Sequence, residues 1–183
     1  GDIDLNTEIS GLVRSFEGNV LTLGSSSTHL KITDTPLSLG GIALETGPGS
    51  LTLSGALSLS NQEKINSSGG SITLESGGSV AGGSTLSLPN TTLVLQSPLS
   101  IASSTLKTSN TTFTTNSNAL TLSGSNLYIE GAQDLSGVVP DSTSVLKLTG
   151  DTTLSSNALS VYSLELEDHA LTLHNSMGGL SVS

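Results

Sequence analysis

The residues of this chain that could do acid–base or metal chemistry are few, and their densest group lies near the C-terminus. That group consists of Glu167, Asp168, His169 and His174, and the remaining histidine, His29, is far away in sequence. Carboxylate and imidazole groups at this spacing are typical ligands of a cation. Glu165 and Glu167 alternate with leucines, however, as solvent-facing strand residues do. We therefore interpret the group as solvated residues of a strand and turn, and we predict no metal site.

Sequence motifs of catalysis are absent. No serine lies in a G-x-S-x-G elbow, and the chain contains neither a phosphate-binding G-x-x-x-x-G-K-[ST] loop nor an H-E-x-x-H pair. Glycan hydrolysis needs two carboxylates that flank a cleft, and β-helices that cleave polysaccharides add basic clusters and aromatic platforms. Here five basic residues are scattered and aromatic residues make up 2% of the chain. The sequence predicts a protein that is not an enzyme, without catalytic residues or cofactors.

Ice-binding solenoids order water with threonines that lie on one flat strand face. Only Thr112-Phe113-Thr114 and its flanks place threonine at consecutive positions of one face. The other exposed positions mix Ser, Thr, Lys, Ala and Val, so we interpret this segment as an ordinary solvated strand.

The element that positions all of these residues is a repeated triplet of apolar, polar and apolar residues. Each triplet is a minimal strand, because alternate side chains point to opposite faces. Clear copies are Leu21-Thr22-Leu23, Leu51-Thr52-Leu53, Ile72-Thr73-Leu74, Leu86-Ser87-Leu88, Leu120-Thr121-Leu122 and Leu171-Thr172-Leu173. Glycine, proline and asparagine lie between the triplets, where they favour turns.

Three triplets make a longer period of about 21 residues, which is the signature of a repeat architecture. The first column of apolar residues is Leu30, Leu51, Ile72 and Leu93. The second is Leu37, Leu57, a weak copy near Val80, Leu99 and Leu120. The third is Ile42, Ile65, Leu86, Leu106 and Leu127. The pattern predicts an all-β, right-handed parallel β-helix with three short faces and about seven or eight coils. An antiparallel sandwich is the alternative, but its strands are usually longer, about five to six residues.

Two segments depart from the period. Residues 1–19 are predicted to form an N-terminal cap or an irregular first coil. Ile9, Leu12, Val13 and Phe16 have helical spacing, and two strands at Ile3–Leu5 and Leu12–Phe16 are the other interpretation. Residues 20–183 are predicted to be the solenoid, with a protruding loop at 130–145 as the best place for a specific contact.

The composition of the chain argues against several classes of binding partner. The net charge is −10 and cysteine is absent, so the chain has neither the basic footprint of a nucleic-acid-binding protein nor disulfides or thiolate metal sites. We expect no nucleic acid and no small-molecule substrate.

Short motifs in the sequence resemble the repeats of autotransporter passenger domains. They are the I-S-G of Ile9-Ser10-Gly11 and the L-T-L-[SG] of Leu21-Thr22-Leu23-Gly24, Leu51-Thr52-Leu53-Ser54 and Leu120-Thr121-Leu122-Ser123. Phe16-Glu17-Gly18-Asn19 and Phe113-Thr114-Thr115-Asn116 are similar to the F-x-x-N motif of chlamydial polymorphic outer membrane proteins, and Gly40-Gly41-Ile42-Ala43 approximates their G-G-A-[ILV] motif. The resemblance implies a right-handed β-helix at a bacterial surface, used for adhesion or as a stalk. Similar L-T-L-S-G sequences also occur in phage tail fibres.

These observations predict a non-catalytic structural or adhesive β-solenoid segment of a secreted or surface-displayed protein. Its localisation would be extracellular or at the outer cell surface, and its partner a ligand on a host or neighbouring cell. The alternative is a self-assembling fibre or filament subunit, cellular or viral, whose partner is itself, end to end or as a trimer. The last triplet, Leu180-Ser181-Val182, is followed by no capping pattern, which favours this alternative.

Overall fold

The computed structural model describes residues 2–4, 13–17, 20–23, 29–32, 39, 43–156 and 158–183. It confirms an all-β solenoid of about 7 turns, in which parallel strands stack with a spacing of roughly 21 residues. The hand of the coil stays a prediction from this period. Within the described residues, no helix is long and apolar enough to cross a membrane.

Sheet 1 is the first of three faces and has six parallel strands. In stacking order they are β1 (Asp2–Asp4), β4 (His29–Ile32), β6 (Ser50–Leu53), β9 (Ser71–Leu74), β12 (Thr92–Leu95) and β15 (Thr112–Thr114). Sheet 2 has five parallel strands: β7 (Leu57–Leu59), β10 (Gly78–Val80), β13 (Leu99–Ala102), β16 (Leu120–Ser123) and β18 (Val138–Pro140). A two-stranded parallel sheet of β20 (Leu159–Val161) and β23 (Leu180–Val182) follows sheet 2, with β20 in contact with β18.

Sheet 3 is the longest face and runs through nearly the whole chain. It contains β2 (Val13–Glu17), β3 (Val20–Leu23), β5 (Ala43–Gly47), β8 (Lys64–Ser67), β11 (Thr85–Pro89), β14 (Thr105–Ser109), β17 (Asn126–Asp134), β19 (Val145–Ser155) and β21 (Ser163–Glu165), with β22 (Leu171–Leu173) also paired to β19. All of its pairs are parallel except β2 with β3. In the coils described from β6 onward, the chain passes through sheet 1, sheet 2 and sheet 3 in turn, as β6, β7 and β8 do before β9 starts the next coil.

The core is a stack of leucine and isoleucine columns inside the coil. In sheet 1, Leu30, Leu51, Ile72 and Leu93 lie in register, each at most 1% exposed. The polar residue of each triplet faces outward, so strands such as β6 and β9 alternate between half-buried and buried positions. Burying one such side chain contributes about 1.5–3 kcal/mol, and the stack gives these sheet 1 residues apolar neighbours in the adjacent coils.

The structure corrects two of the predicted columns. In sheet 3 the residue in register with Ile65 is Leu44, and Ile42 lies outside the described residues. In sheet 2 Gly78 lies between Leu57 and Leu99, while Val80 is in register with Leu59 and Ile101. A Cβ at Gly78 would lie 2.2 Å from the carbonyl oxygen of Leu57, so the backbone approaches too closely there for any side chain.

Residues that tolerate a left-handed backbone make the corners between the faces. Asn90 and Asn110 follow β11 and β14 with φ of 52° and 50°, and asparagine adopts this conformation more readily than most residues. The two side chains stack, with Nδ2 of Asn110 donating to Oδ1 of Asn90 at 3.4 Å. This corner separates sheet 3 from sheet 1 in successive coils.

Both irregular segments differ from their predictions. The strand interpretation of the N-terminus fits β1 and β2, and the helix is wrong over Val13–Glu17, which pairs with β3 as an antiparallel strand. Residues 6–12 lie outside the described residues. The protruding loop at 130–145 is also wrong, because β17 continues to Asp134 and β18 follows at Val138–Pro140, both paired within the solenoid. The spacing from Leu127 to Leu146 falls to 19 residues because this coil is shorter, not because a loop protrudes from it.

The corner between sheet 2 and sheet 3 contains a column of buried serines, Ser84, Ser104, Ser125 and Ser144. Above it, Oδ1 of Asp141 accepts hydrogen bonds from Oγ1 of Thr143 at 2.7 Å and from Oγ of Ser144 at 2.9 Å. These bonds, led by the Thr143 hydroxyl and followed by that of Ser123, hold the pKa of Asp141 well below its ordinary value of 3.8.

Candidate ligand-binding cleft

Sheet 1 is interrupted above β15. The last sheet 3 pair below the interruption joins Ser109 to Glu130, and in sheet 2 the amide of Leu120 donates to the carbonyl of Gly137 at 3.1 Å. Between these points, among described residues 110–119 and 131–136, no strand pairing joins β15 to β17. Two successive coils are therefore held together on two faces and separate on the third.

A shortened coil accompanies this separation. Leu99 pairs with Leu120, which is 21 positions later, whereas Leu120 pairs with Val138, only 18 positions later. Strand β17 runs without a break from sheet 3 round to the sheet 1 side, bending at Gly131, where φ is 72°. The bend lies above Asn110, whose Oδ1 would be 2.6 Å from a Cβ at Gly131. The coil thus takes a tighter path than the one below.

Phe113 is placed at the opening. It is in register with Leu93, at the inward position of sheet 1, yet it is only partly buried. Two hollows of about 460 and 510 Å³ share its ring as a wall. We call the first hollow the sheet 1 cleft; its lining is Asn110, Thr111, Thr112, Phe113, Ala132, Gln133, Asp134, Thr153, Ser155 and His174.

Gln133 is the most unusual group of this lining. Its side chain is 2% exposed, and its Nε2 donates to the carbonyl of Glu130 at 2.8 Å. Its Oε1 is buried without a hydrogen-bond partner. Leaving a buried acceptor unsatisfied costs about 1–3 kcal/mol, so a donor brought by a ligand would recover part of this free energy.

The cleft carries little charge. Asp134 and His174 are the ionisable groups of its lining, which includes no lysine or arginine. Oδ1 of Asp134 accepts the amide of Ser136 at 2.9 Å, and Nδ1 of His174 lies 2.8 Å from Oγ of Ser176. The remaining groups are hydroxyls, amides and the phenyl ring, a combination suited to recognition by hydrogen bonding and stacking.

A polar ladder covers the outside of sheet 3. In register order it is Glu45, Asn66, Ser87, Lys107, Tyr128, Lys147 and Glu165. The ammonium groups of Lys107 and Lys147 lie 5.4 and 5.8 Å from the Tyr128 ring centroid, on neighbouring strands, within the range of cation–π attraction. Lys147 also pairs with Glu165 at 2.6 Å, and this hydrogen bond raises the pKa of Lys147.

The structure separates the residues of the C-terminal group, which the sequence pattern predicts to be solvated residues. Glu167 and Asp168 form a turn with φ of 47° and 69°. Nδ1 of His169 lies 3.9 Å from Oδ1 of Asp151, whereas His174 belongs to the sheet 1 cleft. Within the described part of the chain, no three His, Cys, Asp or Glu side chains come together as a metal site would require. Nε2 of His29 lies 2.9 Å from Oγ1 of Thr52 on the outside of sheet 1.

Sequence reasoning missed the cleft, although two signals point to it. Phe113 is an aromatic residue in a column of Leu and Ile, and the spacing from Leu127 to Leu146 falls to 19 residues. The exposed Thr112 and Thr114, considered as water-ordering residues, flank Phe113 on β15.

Comparisons with protein-family models, with curated proteins and with solved structures find no match to this chain. The resemblance to autotransporter passenger domains therefore stays a prediction from the short sequence motifs on which it is based.

Proposed function

We propose that this chain is a non-catalytic, extracellular β-solenoid segment of a surface-displayed or secreted protein, with a structural and adhesive role. The observation that supports it is the sheet 1 cleft, an opening lined by hydroxyl and amide groups on a rigid stack of strands. Binding sites are commonly concave and carry a few convergent polar groups, and here a buried amide oxygen of Gln133 has no partner.

The outer faces fit the same role. Triplet middles such as Thr52 and Thr73 form polar stripes along the rod, and they provide a hydrated surface around the cleft. The net charge of −10 favours solubility and self-repulsion over nonspecific association.

Two measurements test the proposal. Antibody against the chain should bind intact producing cells, and added protease should remove the signal without lysis; detection only after lysis would overturn the extracellular location. Beads coated with the purified chain should be retained on surfaces of neighbouring or host cells more than beads coated with a control protein. Equal retention would overturn the adhesive role.

A fibre or filament subunit is the second candidate, and the apolar residues through which its copies would stack lie on the last described coils. Leu166, Leu173 and Val182 are 42%, 46% and 53% exposed. A second copy stacked on this surface would cover them. Light scattering after gel filtration measures the solution mass directly: a trimer or an open-ended polymer supports the fibre, and a monomer of 18.4 kDa supports the display module.

A further inference from the structure

We propose that the sheet 1 cleft binds a neutral saccharide, such as the exposed part of a cell-surface glycan. This inference rests on the proposed adhesive function and specifies the chemical class of its ligand. Four properties of the cleft carry it: an acceptor without a partner, a lining without lysine or arginine, an aromatic wall, and a direction that crosses the strands.

The acceptor without a partner is Oε1 of Gln133. The amide is fixed in place because its Nε2 is used by the carbonyl of Glu130 at 2.8 Å, so Oε1 cannot be satisfied by a flip without losing that bond. A hydroxyl group is both a donor and an acceptor. Because Oε1 is buried in the free chain, a sugar hydroxyl reaches it only after a small shift of the cleft wall, and its donation would then satisfy the oxygen.

Charge favours a neutral ligand. The lining has one carboxylate, Asp134, and no lysine or arginine. Phosphate, sulfate and carboxylate ligands need such cations to offset their desolvation. The Asp134 carboxylate accepts hydrogen bonds from hydroxyls as it does from the Ser136 amide. Hydroxyl donors from Thr112, Thr153 and Ser155 complete a lining that matches a polyhydroxylated molecule.

The phenyl ring of Phe113 supplies the apolar part of the site. A sugar ring has a face of C–H groups bordered by hydroxyls, so it matches an aromatic surface with polar groups around it. Phe113 is in register with Leu93 but is less buried than that residue. Its exposure is a consequence of the separated coils.

The dimensions favour a short oligosaccharide over an added peptide strand. A volume of about 460 Å³ is within the range of small-ligand sites. Asp134, Ser155 and His174 lie in register on three successive coils, so this wall of the cleft follows the solenoid axis over about 10 Å, at about 4.8 Å per coil. An added strand would run along β15 and at right angles to this direction.

The test is a titration of the purified chain with defined glycans. The probes are neutral oligosaccharides built from glucose, galactose, mannose and N-acetylglucosamine, with heparin and polysialic acid as anionic comparisons and a peptide of residues 90–97 as the strand comparison. We expect saturable binding to at least one neutral oligosaccharide and none to the anionic polymers or the peptide. Preference for an anionic polymer or for the peptide would overturn the inference.

Gln133→Met and Phe113→Leu locate the site. Gln133→Met removes both the unpaired oxygen and the Nε2 donor to the Glu130 carbonyl at nearly constant volume. These two changes have opposite effects on stability, so the melting temperature should change little while affinity for the neutral glycan falls at least tenfold. Phe113→Leu restores the column residue and removes the ring, with a similar loss expected. The matched control is Gln96→Met, at an exposed position outside the cleft, which should leave affinity unchanged.

Each remaining outcome decides between the proposals. Unchanged glycan affinity in both cleft variants, or no neutral glycan bound at millimolar concentration, overturns the saccharide site. If bead retention on cells survives glycosidase treatment but is lost after protease treatment, the adhesive function stands and its ligand is a protein. If no retention occurs on any surface while a glycan still binds the cleft, the saccharide site stands and the adhesive role fails.

Discussion

The coils from residue 43 to residue 109 and the coils from residue 110 to residue 183 are built from the same triplets and differ in how completely they stack. In the first region every coil pairs with the next on all three faces. In the second, β17 and β19 are long strands that turn a corner, and β15 has no partner above it. The regular region shows what the repeat alone builds. In the irregular region, a coil that is two or three residues shorter lies above the cleft.

The largest expected effect is a charge in the regular core. Leu74 is completely buried, whereas Thr73 faces outward between Thr52 and Val94. Leu74→Asp should destabilise the fold by about 3–5 kcal/mol, because an unpaired charge would be buried. Thr73→Asp should change stability by only about 0.5 kcal/mol. Thermal melting followed by circular dichroism measures both, and equal losses would contradict the assigned facing.

A methyl group added at two glycines compares the spacing of the two regions. Gly78 and Gly179 both have positive φ, 148° and 132°. A Cβ at Gly78 would collide with the Leu57 carbonyl, whereas nothing lies within 4 Å of one at Gly179. Gly78→Ala should therefore cost about 2–3 kcal/mol and Gly179→Ala about 1 kcal/mol. Denaturant titration gives both values, and a larger loss at Gly179 would reverse the proposed difference in packing.

Exchanging Leu and Phe within the column below the cleft is a smaller change. Leu93→Phe should cost about 1–3 kcal/mol, because Leu93 is 0% exposed in a closed stack. Phe113→Leu should cost less than about 1.5 kcal/mol, because the ring is already partly outside the core. Chemical denaturation of the two single variants is the measurement. Equal costs would mean that the stack is as tight at Phe113 as at Leu93.

The smallest effect concerns Asp141, at the corner above the serine column. Its pKa is held below the ordinary 3.8 by the Thr143 and Ser123 hydroxyls, so its ionised form stabilises the folded state above that pH. This contribution is lost as the pH falls below about 4. Asp141→Asn should lower the melting temperature at pH 7 by a few degrees and should flatten its fall between pH 4 and pH 2. If the melting temperature of Asp141→Asn falls between pH 4 and pH 2 as steeply as that of the unmodified chain, Asp141 does not stabilise the fold in the way proposed.

The repeat made most of the fold predictable. The sheet 1 column from Leu30 to Leu93 and the three faces follow from apolar spacing, because each inward position must find an apolar neighbour one coil away. The Gly78 position and the continuation of β17 to Asp134 were not predictable. Both depend on how closely two backbones approach, which is a property of neighbouring coils and is absent from the local pattern.

The cleft was harder to predict from the sequence than the fold. A residue count shows that the coil after Leu127 is short, but a short coil can pair tightly, form a loop or open on one face. The unsatisfied Oε1 of Gln133 appears only once the partners of every neighbouring group are known. The aromatic residue at position 113 was the strongest available hint, and its meaning depends on the missing pairing above it.

The interruption of sheet 1 also bears on how the rod loses its structure. In a solenoid each coil contacts only its neighbours, so stability is close to a sum of coil terms and interface terms. The interface above β15 lacks its sheet 1 ladder, and the interface above β18 lacks its sheet 2 ladder, so these two interfaces are weaker than those of the regular region. The coils up to β15 should therefore unfold as one cooperative block, separately from the coils above, and a pulling force along the axis should separate the rod first at one of these two interfaces.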